Sequence, residues 1–460
     1  MKKHYQLAVV GAGSGGREAA LTAAKEGLKV LLIEKDTLGG TCLHHGCYPV
    51  RALRACADAT KDRQLSSKFG LENTGVTVGF EKWLTVQRRV SARLTQEVNN
   101  QLERAGVTVR FANASLITPK ELRIASRHGE IEQIKADYVV LATGSKPAFD
   151  QTRSGPRYVN SDGLLARTEI PKHLLIIGAG YIGCEFASVF RSLGSVVTLV
   201  EKENRLLPNW DASLGEYIEG CLRSAGVNIQ LKHEIDVPIP GELSEELELL
   251  LETGTRISPD LVLVATGRKP NVESLGLEDL GIETNPFVAV NEQLQTTCPT
   301  IFAVGDINGL SLLDSAAVVQ ARIAIGAILG RKEPFSARWI PRCIHTDPPI
   351  ASIGWNEEDA GRAGLSVICH SQTFRLVTDD ERTVVNPLPT MVKILLQSES
   401  RQILGVHVVG THAAEIVNLA SMAVRAGLTL DQVLQVPLVH PSATEVFQEC
   451  ANGLGRIPAG

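Results

Sequence analysis

No excess of positive charge runs through this sequence. Its 46 lysines and arginines face 51 aspartates and glutamates, a net charge of −5, so nucleic acid is not an expected partner. No apolar run approaches the ~20 residues that a membrane helix needs. The longest, Leu174–Gly183 and Tyr138–Gly144, have the length of core strands, so no membrane association is expected. Cysteine is too sparse for a disulfide scaffold, with nine among 460 residues. Seven of these (Cys56, Cys184, Cys221, Cys298, Cys343, Cys369 and Cys450) are scattered and expected to sit reduced in apolar surroundings. Low-complexity stretches and short-period repeats are missing too. The opening MKKHYQLAVVGAG passes straight into a glycine turn followed by Arg17 and Glu18. It therefore reads as a first β-strand rather than a secretion signal, and a cytoplasmic protein with reduced thiols is expected.

What is present is an ordinary globular composition, 44% hydrophobic and 21% charged, with length for about three domains. One echo organises it. Residues 7–34, LAVVGAGSGGREAALTAAKEGLKVLLIE, and residues 174–201, LLIIGAGYIGCEFASVFRSLGSVVTLVE, share one pattern. Each reads as apolar strand, glycine turn, amphipathic helix, glycine, second strand and closing glutamate. Starts 167 residues apart exclude a solenoid and predict two separate βαβ nucleotide-binding domains. ATGSKP at 142–147 and ATGRKP at 265–270 close the two units in the same way, which predicts a second domain inserted into the first. IFAVGD at 301–306 reads as a buried strand returning to the first domain, followed by a helix over about 315–329. Leu84–Ala105 reads as a long exposed helix. The five glutamates of Glu242–Glu252 read as a solvated face between strands. Beyond about residue 336, strands such as Val392–Leu396 and Gly405–Val409 precede a helical stretch, Ala413–Ala426, an α+β texture. The expected α/β architecture is thus two Rossmann-like domains, 1–147 with 267–335 and the inserted 148–266, plus an α+β domain over 336–460.

Gly11, Gly13 and Gly16 form G-x-G-x-x-G between strand and helix. The first permits the tight turn, the second lets backbone approach a pyrophosphate, and the third lets helix and strand pack closely. The helix N-terminus offers free N–H groups to phosphate, and Glu34 can hold ribose hydroxyls. Gly178, Gly180, Gly183 and Glu201 repeat the arrangement. A carboxylate at 201 binds a 2′-hydroxyl and repels a 2′-phosphate, so NAD is expected over NADP, although Arg205 lies nearby.

Cys42 and Cys47 stand in GGTCLHHGCYP. A disulfide across so short a loop removes little unfolded-state entropy, which suits a bond that opens and closes in a redox cycle. If Pro49 opens or lies just inside a helix, the dipole favours a thiolate. His44 and His45 between them allow a metal site instead, but zinc sites usually show C-x2-C spacing and a second ligand pair, which is not evident. Two inert buried thiols are a third possibility. In HPSATE, the residue before a proline is biased to extended conformation, leaving His440 off the helix, and a cis His440–Pro441 bond is compatible. Glu445 can fix its tautomer and raise its basicity. The same Ser442-x-x-Glu445 is also a capping box, which requires no chemistry.

In order along nearly the whole chain, GAGSGG, GGTCLHHGCYP, ATGSKP, GAGYIGCE, ATGRKPN, FAVGDING, GVHVVG and HPSATE resemble the flavin-dependent class I pyridine nucleotide-disulfide oxidoreductases, most of all their dihydrolipoamide dehydrogenase branch. The resemblance implies FAD at the first loop, with Thr41, Arg51, Thr143, Gly144, Asp306 and Ala317 around it. It implies NAD at the second, with Tyr181, Glu185 and Gly267. It also implies a redox disulfide, Cys42–Cys47, with Cys42 exchanging with substrate and Cys47 facing the flavin. The helix opening near Asp314–Ala317 would point its N-terminus at the flavin. The last domain would form a homodimer interface, and His440 with Glu445 would serve the disulfide of the other subunit. The implied activity is oxidation of dihydrolipoyl groups, on a lipoyl-bearing protein or a small dithiol, by NAD. Reduction of another disulfide, in the manner of glutathione reductase, and mercuric reduction are the alternatives. A single cysteine in the tail, Cys450, tells against the latter. Departures from the family are His44-His45 between the cysteines, Arg51 for a lysine, His345-Thr346 for Tyr-Thr, and Pro349 for a glutamate.

Overall fold

The computed structural model describes residues 3–65, 79–153, 155–235, 249–250, 256–375 and 389–455. Its contacts group the chain into two units, Met1–Ala52 with Leu84–Ala148 and Arg268–Ala337, and Leu53–Trp83 with Phe149–Gly267 and Arg338–Gly460. The reading from sequence has three domains. Here residues 149–267 and 338–460 fall into one unit together with residues 53–83, which that reading assigns to the first domain.

In the first unit, strand Lys3–Val10 pairs in parallel with Val30–Glu34 on one side and Ile131–Leu141 on the other. Thr108–Thr118 extends one edge and Ile301–Ala303 the other, also in parallel. The return of 301–303 to this sheet bears out the expected insertion. Successive strand residues face opposite sides. Leu7 and Val9 enter a core with Ala19, Ala20 and Ala23 of helix Ser14–Lys25, while Ala8 and Val10 enter a second core with Leu31, Ile33 and Leu141. Both faces are covered, which is why these strands read as unbroken apolar runs. The outer halves of Thr108–Thr118 and Ile131–Leu141 pair antiparallel with Glu121–Ser126.

The second unit contains a parallel sheet in the order Asn228–Leu231, Val196–Glu201, His173–Ile177, Leu261–Val264, Tyr158–Val159. It also contains a five-stranded antiparallel sheet, Arg342–Ile344, Ile350–Gly354, Ile403–Val409, Pro389–Gln397 and Val367–Arg375. Helices Ala413–Ala426 and Glu445–Gly455 bury Ile416, Val417, Val446 and Phe447 with that sheet, as the α+β expectation requires. The glutamates of Glu242–Glu252 lie outside the described residues. Of that run only Leu249–Leu250 is described, paired with Arg256–Ile257. Among the described residues no helix is long and apolar enough to cross a membrane.

A buried polar cluster underlies the antiparallel sheet. Lys393 Nζ donates to both carboxylate oxygens of Asp211 at 3.0 Å and to Glu357 at 2.8 Å. His407, fully buried, joins Ser352 through Nδ1 at 2.7 Å and the Trp355 carbonyl through Nε2 at 3.0 Å. Burial pushes His407 down from 6.5 to about 4. Burial opposes ionisation of Asp211, but the His407 and Lys393 charges and the Ser213 hydrogen bond hold it at about 2. In the unfolded chain His407 binds its proton from pH 6.5 downward, whereas the folded chain refuses it until about 4. Stability is therefore lost as pH falls through that window, by roughly 3 kcal/mol at its foot. Thermal unfolding followed from pH 7 to 4 should show this slope flattened in His407→Gln. An identical slope would assign the acid lability elsewhere.

Candidate active site

Each glycine loop is shaped by contacts that only glycine permits. Gly11 has φ +100° and no room for a side chain against the Ala142 carbonyl, and a Cβ on Gly16 would collide with the carbonyl oxygen of Gly11. Gly178 and Gly183 repeat both contacts, against Ala265 and Gly178. The helices that follow, Ser14–Lys25 and Tyr181–Ser192, have no side-chain cap on their first N–H groups and no acid in their first turns. Next to Gly180 a Cβ would meet nothing within 4 Å. Uncapped donors behind these glycine turns form the cradle a pyrophosphate requires, so the two loops fit two dinucleotides.

The closing glutamates do more than the sequence suggests. Glu34 accepts the Ala12 N–H at 2.7 Å and the Asp36 N–H at 2.8 Å. Glu201 accepts those of Ala179 at 2.6 Å and Glu203 at 3.0 Å. Each carboxylate thus braces its own glycine loop while remaining at the strand end expected to hold a ribose. Arg205 is occupied: it pairs through both terminal nitrogens with Glu358, at 2.5 and 2.9 Å, so the Glu201 charge stands without it.

The two ATG motifs, rather than closing separate units independently, meet in one antiparallel ribbon. Arg268 lies opposite Pro147, Lys269 opposite Lys146 and Pro270 opposite Ser145. Thr143 Oγ1 donates to the Asn271 carbonyl at 2.7 Å, and Asn271 Nδ2 donates to the Thr143 carbonyl at 2.8 Å. The ribbon also fixes Asp306, which sits not in the strand but in the turn Gly305–Asn308 after it. Ser145 Oγ donates to Asp306 at 2.5 Å and receives the Arg268 Nε–H at 2.7 Å. Burial raises the Asp306 carboxyl pKa, against Ser145 and Arg268, and the Asp314 charge adds to the rise. Ser145 and Arg268 escaped the sequence reading, although both stand in the motifs it singled out. Ala317 lies buried in the helix Asp314–Ile328.

The cysteine segment is pinned to the first loop. The Gly39 N–H donates to the Ala12 carbonyl at 3.0 Å, and a Cβ on Gly40 would come within 2.7 Å of the Gly13 Cα. The short helix Gly40–His44 holds Cys42, and Cys47 opens helix Cys47–Leu65, with Pro49 in its first turn. Cys42 is half-buried and Cys47 exposed, and neither is in a disulfide. Hydrogen bonding by Cys47, then burial, the Cys47 charge and Asp314 push the Cys42 thiol far above the ordinary range. Thr41 and Arg51 are exposed on the same two helices. His44 turns away from the sulfurs, its Nε2 meeting the Leu38 carbonyl at 3.0 Å and Thr95 at 3.4 Å, while His45 is exposed. Of the scattered cysteines only Cys184 and Cys450 are fully buried, and the other five are half-buried.

In the second unit, Tyr181 opens the helix behind the second loop. Glu185, one turn on, accepts the His345 N–H at 2.7 Å. Gly267 has φ +130°. The His440–Pro441 bond is cis, and the imidazole projects with its side chain 83% exposed. His440 Nδ1 lies 2.8 Å from Glu445 Oε1, and the other oxygen accepts the Ser442 N–H at 2.8 Å. Glu445 is held below the usual carboxylate range by the Ser442 N–H first and by His440. An ionised carboxylate only accepts, so Nδ1 carries the proton and Nε2 is left basic. The cap and the dyad coexist: Glu445 serves both, while Ser442 Oγ turns to Thr444 at 2.8 Å instead of capping.

Residues 5–325 match the pyridine nucleotide-disulphide oxidoreductases, and residues 340–451 match the dimerisation domain of that family. The chain is a pyridine nucleotide-disulphide oxidoreductase. The dihydrolipoyl dehydrogenase of Chlorobaculum parvum is 31% identical over 453 residues, 97% of this chain and 96% of that protein. That of Chlamydia trachomatis is 32% identical over 457 residues, 98% of this chain and 97% of that protein. The HOCl-induced flavoprotein disulfide reductase RclA of Escherichia coli, solved as a Cu(II) complex, superposes with a TM-score of 0.84 at 26% identity, covering 99% of this chain and 100% of that one. The oxidoreductase family uses FAD and NAD, and the two cradles fit them.

Proposed function

We propose that this oxidoreductase oxidises dihydrolipoyl groups with NAD, as a dihydrolipoyl dehydrogenase. The observation that carries the reading is the hydrogen-bonded Cys42–Cys47 thiol pair, on a segment pinned to the first glycine loop. The named relatives support it, as does the His440–Glu445 dyad. FAD belongs at Gly11, Gly13 and Gly16, with Asp306 and Thr41 near it, and NAD at Gly178, Gly180 and Gly183, with Tyr181 and Glu185. Bound FAD supplies the two-electron link between a dithiol and a nicotinamide. The chain's own side chains do the thiol chemistry. His440 Nε2 takes the proton of an incoming substrate thiol. The thiolate attacks Cys42 Sγ of the oxidised pair, the Cys42–Cys47 bond breaks, and Cys47 leaves as thiolate. The second substrate thiol attacks its partner sulfur, forming the oxidised dithiolane and returning Cys42 as thiol. Two electrons then reside on the pair.

The imidazole serves the partner subunit of a homodimer in this reading. The family's dimerisation domain supports that, as do Val436, Val439 and Met422, large apolar side chains left exposed in this unit. A cytoplasmic setting accords with the nine thiols.

Steady-state NAD reduction by free dihydrolipoamide, on FAD-loaded protein, is the test. Rapid turnover is expected. Negligible turnover by protein whose flavin NADH still reduces would favour the second reading, reduction of another disulfide. The exposed His45 between the cysteines is what recommends that reading. Cofactor choice is tested separately. Glu201→Arg should lower the kcat/KM ratio of NAD over NADP at least about tenfold. Glu201→Gln controls for the lost brace on Ala179, and an unmoved ratio would remove Glu201 from selectivity.

A further inference from the structure

Residues 201–207 form an arch tied at both ends to one residue of the second glycine loop. The Glu201 carboxylate accepts the Ala179 N–H at 2.6 Å, and the Leu207 N–H donates to the Ala179 carbonyl at 3.0 Å. Arg205 stands on this arch, between the two points of attachment. An arginine in this neighbourhood is what a 2′-phosphate needs. Its guanidinium is held elsewhere. Nη1 and Nη2 pair with the two carboxylate oxygens of Glu358, 153 residues on, in the short helix Glu357–Arg362. The Pro208 carbonyl accepts from the same Nη2 at 3.0 Å. A carboxylate gripped by two parallel N–H donors occupies the fork that would grip a phosphate.

We propose that Glu358 determines cofactor specificity: it stands in for a 2′-phosphate on Arg205, and by holding that fork it keeps the second cradle selective for NAD. The proposal rests on that cradle taking the nicotinamide dinucleotide, and is independent of which dithiol or disulfide the enzyme turns over. Two carboxylates then share the discrimination. Glu201 repels a 2′-phosphate directly, and Glu358 withholds the cation that would attract one.

Docking is a weak account of the pair. The side chains of Arg205 and Glu358 are 23% and 44% exposed, and an ion pair so open to solvent adds little stability. The segment that follows Arg205 is fastened to the same region by other contacts. Lys393 donates to Asp211, the Arg342 guanidinium lies 4.5 Å from the centre of the Trp210 ring, and Arg342 Nη1 donates to the Asn209 carbonyl at 3.3 Å. Removing Glu358 therefore changes where the Arg205 charge sits more than it changes the fold.

The test is calorimetric titration of the holoenzyme with ADP-ribose and with 2′-phospho-ADP-ribose, redox-inert ligands that differ only in the 2′-phosphate. In Glu358→Ala the affinity for the 2′-phospho form, relative to ADP-ribose, should rise at least about fivefold. The kcat/KM for NADPH relative to NADH, with an artificial acceptor, should rise with it. A docking role would move both ligands together. Arg205→Leu alone should leave the affinity ratio within about twofold of the parent's, and in Glu358→Ala/Arg205→Leu the gain should vanish. An unmoved ratio in Glu358→Ala overturns the proposal. So does a gain that survives in the double variant, because the lost negative charge would then account for it without the arginine. If Glu358→Ala does not fold, Glu358→Gln, which keeps the shape and removes the charge, is read in the same way. A parent that binds neither ligand would overturn the assignment of the second cradle, and the proposal with it, which is a different result from an unmoved ratio.

Discussion

Cys47→Ser protein is expected to purify yellow and to be unable to oxidise dihydrolipoamide. Serine fills nearly the same space at the start of helix Cys47–Leu65, and its hydroxyl can still hydrogen-bond Cys42. It cannot form an S–S bond, so the pair can no longer accept two electrons. The glycine cradle is untouched, because Gly39 and Gly40 rather than Cys47 tie this segment to the first loop. NAD reduction by dihydrolipoamide should fall by roughly 10³-fold or more. NADH oxidation by an artificial one-electron acceptor, which bypasses the cysteines, should persist. Flavin content by visible absorbance and the two assays on one preparation decide the matter. Dithiol turnover within tenfold of the parent would show that Cys42 and Cys47 are not the redox centre.

His440→Gln is expected to separate the two half-reactions. The imidazole has no described structural duty. It projects into solvent, and its partner Glu445 keeps the Ser442 N–H whatever stands at 440. Glutamine retains a hydrogen-bond donor toward Glu445 but cannot take a proton. Loss of a positioned base should slow dihydrolipoamide oxidation by about 10²- to 10⁴-fold. NADH oxidation by an artificial acceptor should stay within about twofold, because that route moves no thiol proton. The pH profile is a second readout: the rise of dithiol kcat/KM with pH that reports the imidazole should vanish. If both activities fall together, His440 acts on the fold or on dimer assembly instead.

Much of this site was legible because its chemistry is local in sequence. The glycine loops need particular residues at particular spacings, as collisions at Gly16 and Gly183 demonstrate. The cysteines lie in one segment, and a five-residue interval is enough to bring His440 onto Glu445. Unbroken apolar runs announced the core strands of both nucleotide units. Less legible were contacts made between distant segments by residues with ordinary local roles. Ser145 and Arg268 look like turn residues beside their ATG motifs, yet Ser145 holds Asp306 across 161 residues and Arg268 holds Ser145 across 123. Asp314 looks like a helix-starting acid until Ser14 is found donating to it across 300 residues. Arg205 looks like a rival to Glu201 until Glu358 is found holding it.

The sequence by itself therefore determined the family and the two nucleotide cradles, and it named the residues proposed to move electrons and protons. Each is a short motif whose backbone geometry or chemistry admits few alternatives. Only the tertiary structure decided how those residues are charged. Whether a thiol, carboxyl or imidazole holds its proton depends on burial and on neighbours within a few ångströms, and the fold draws those neighbours from anywhere in the chain. That is why Cys42 is held as a thiol, Asp306 is raised and His407 is kept neutral by contacts that no local pattern contains.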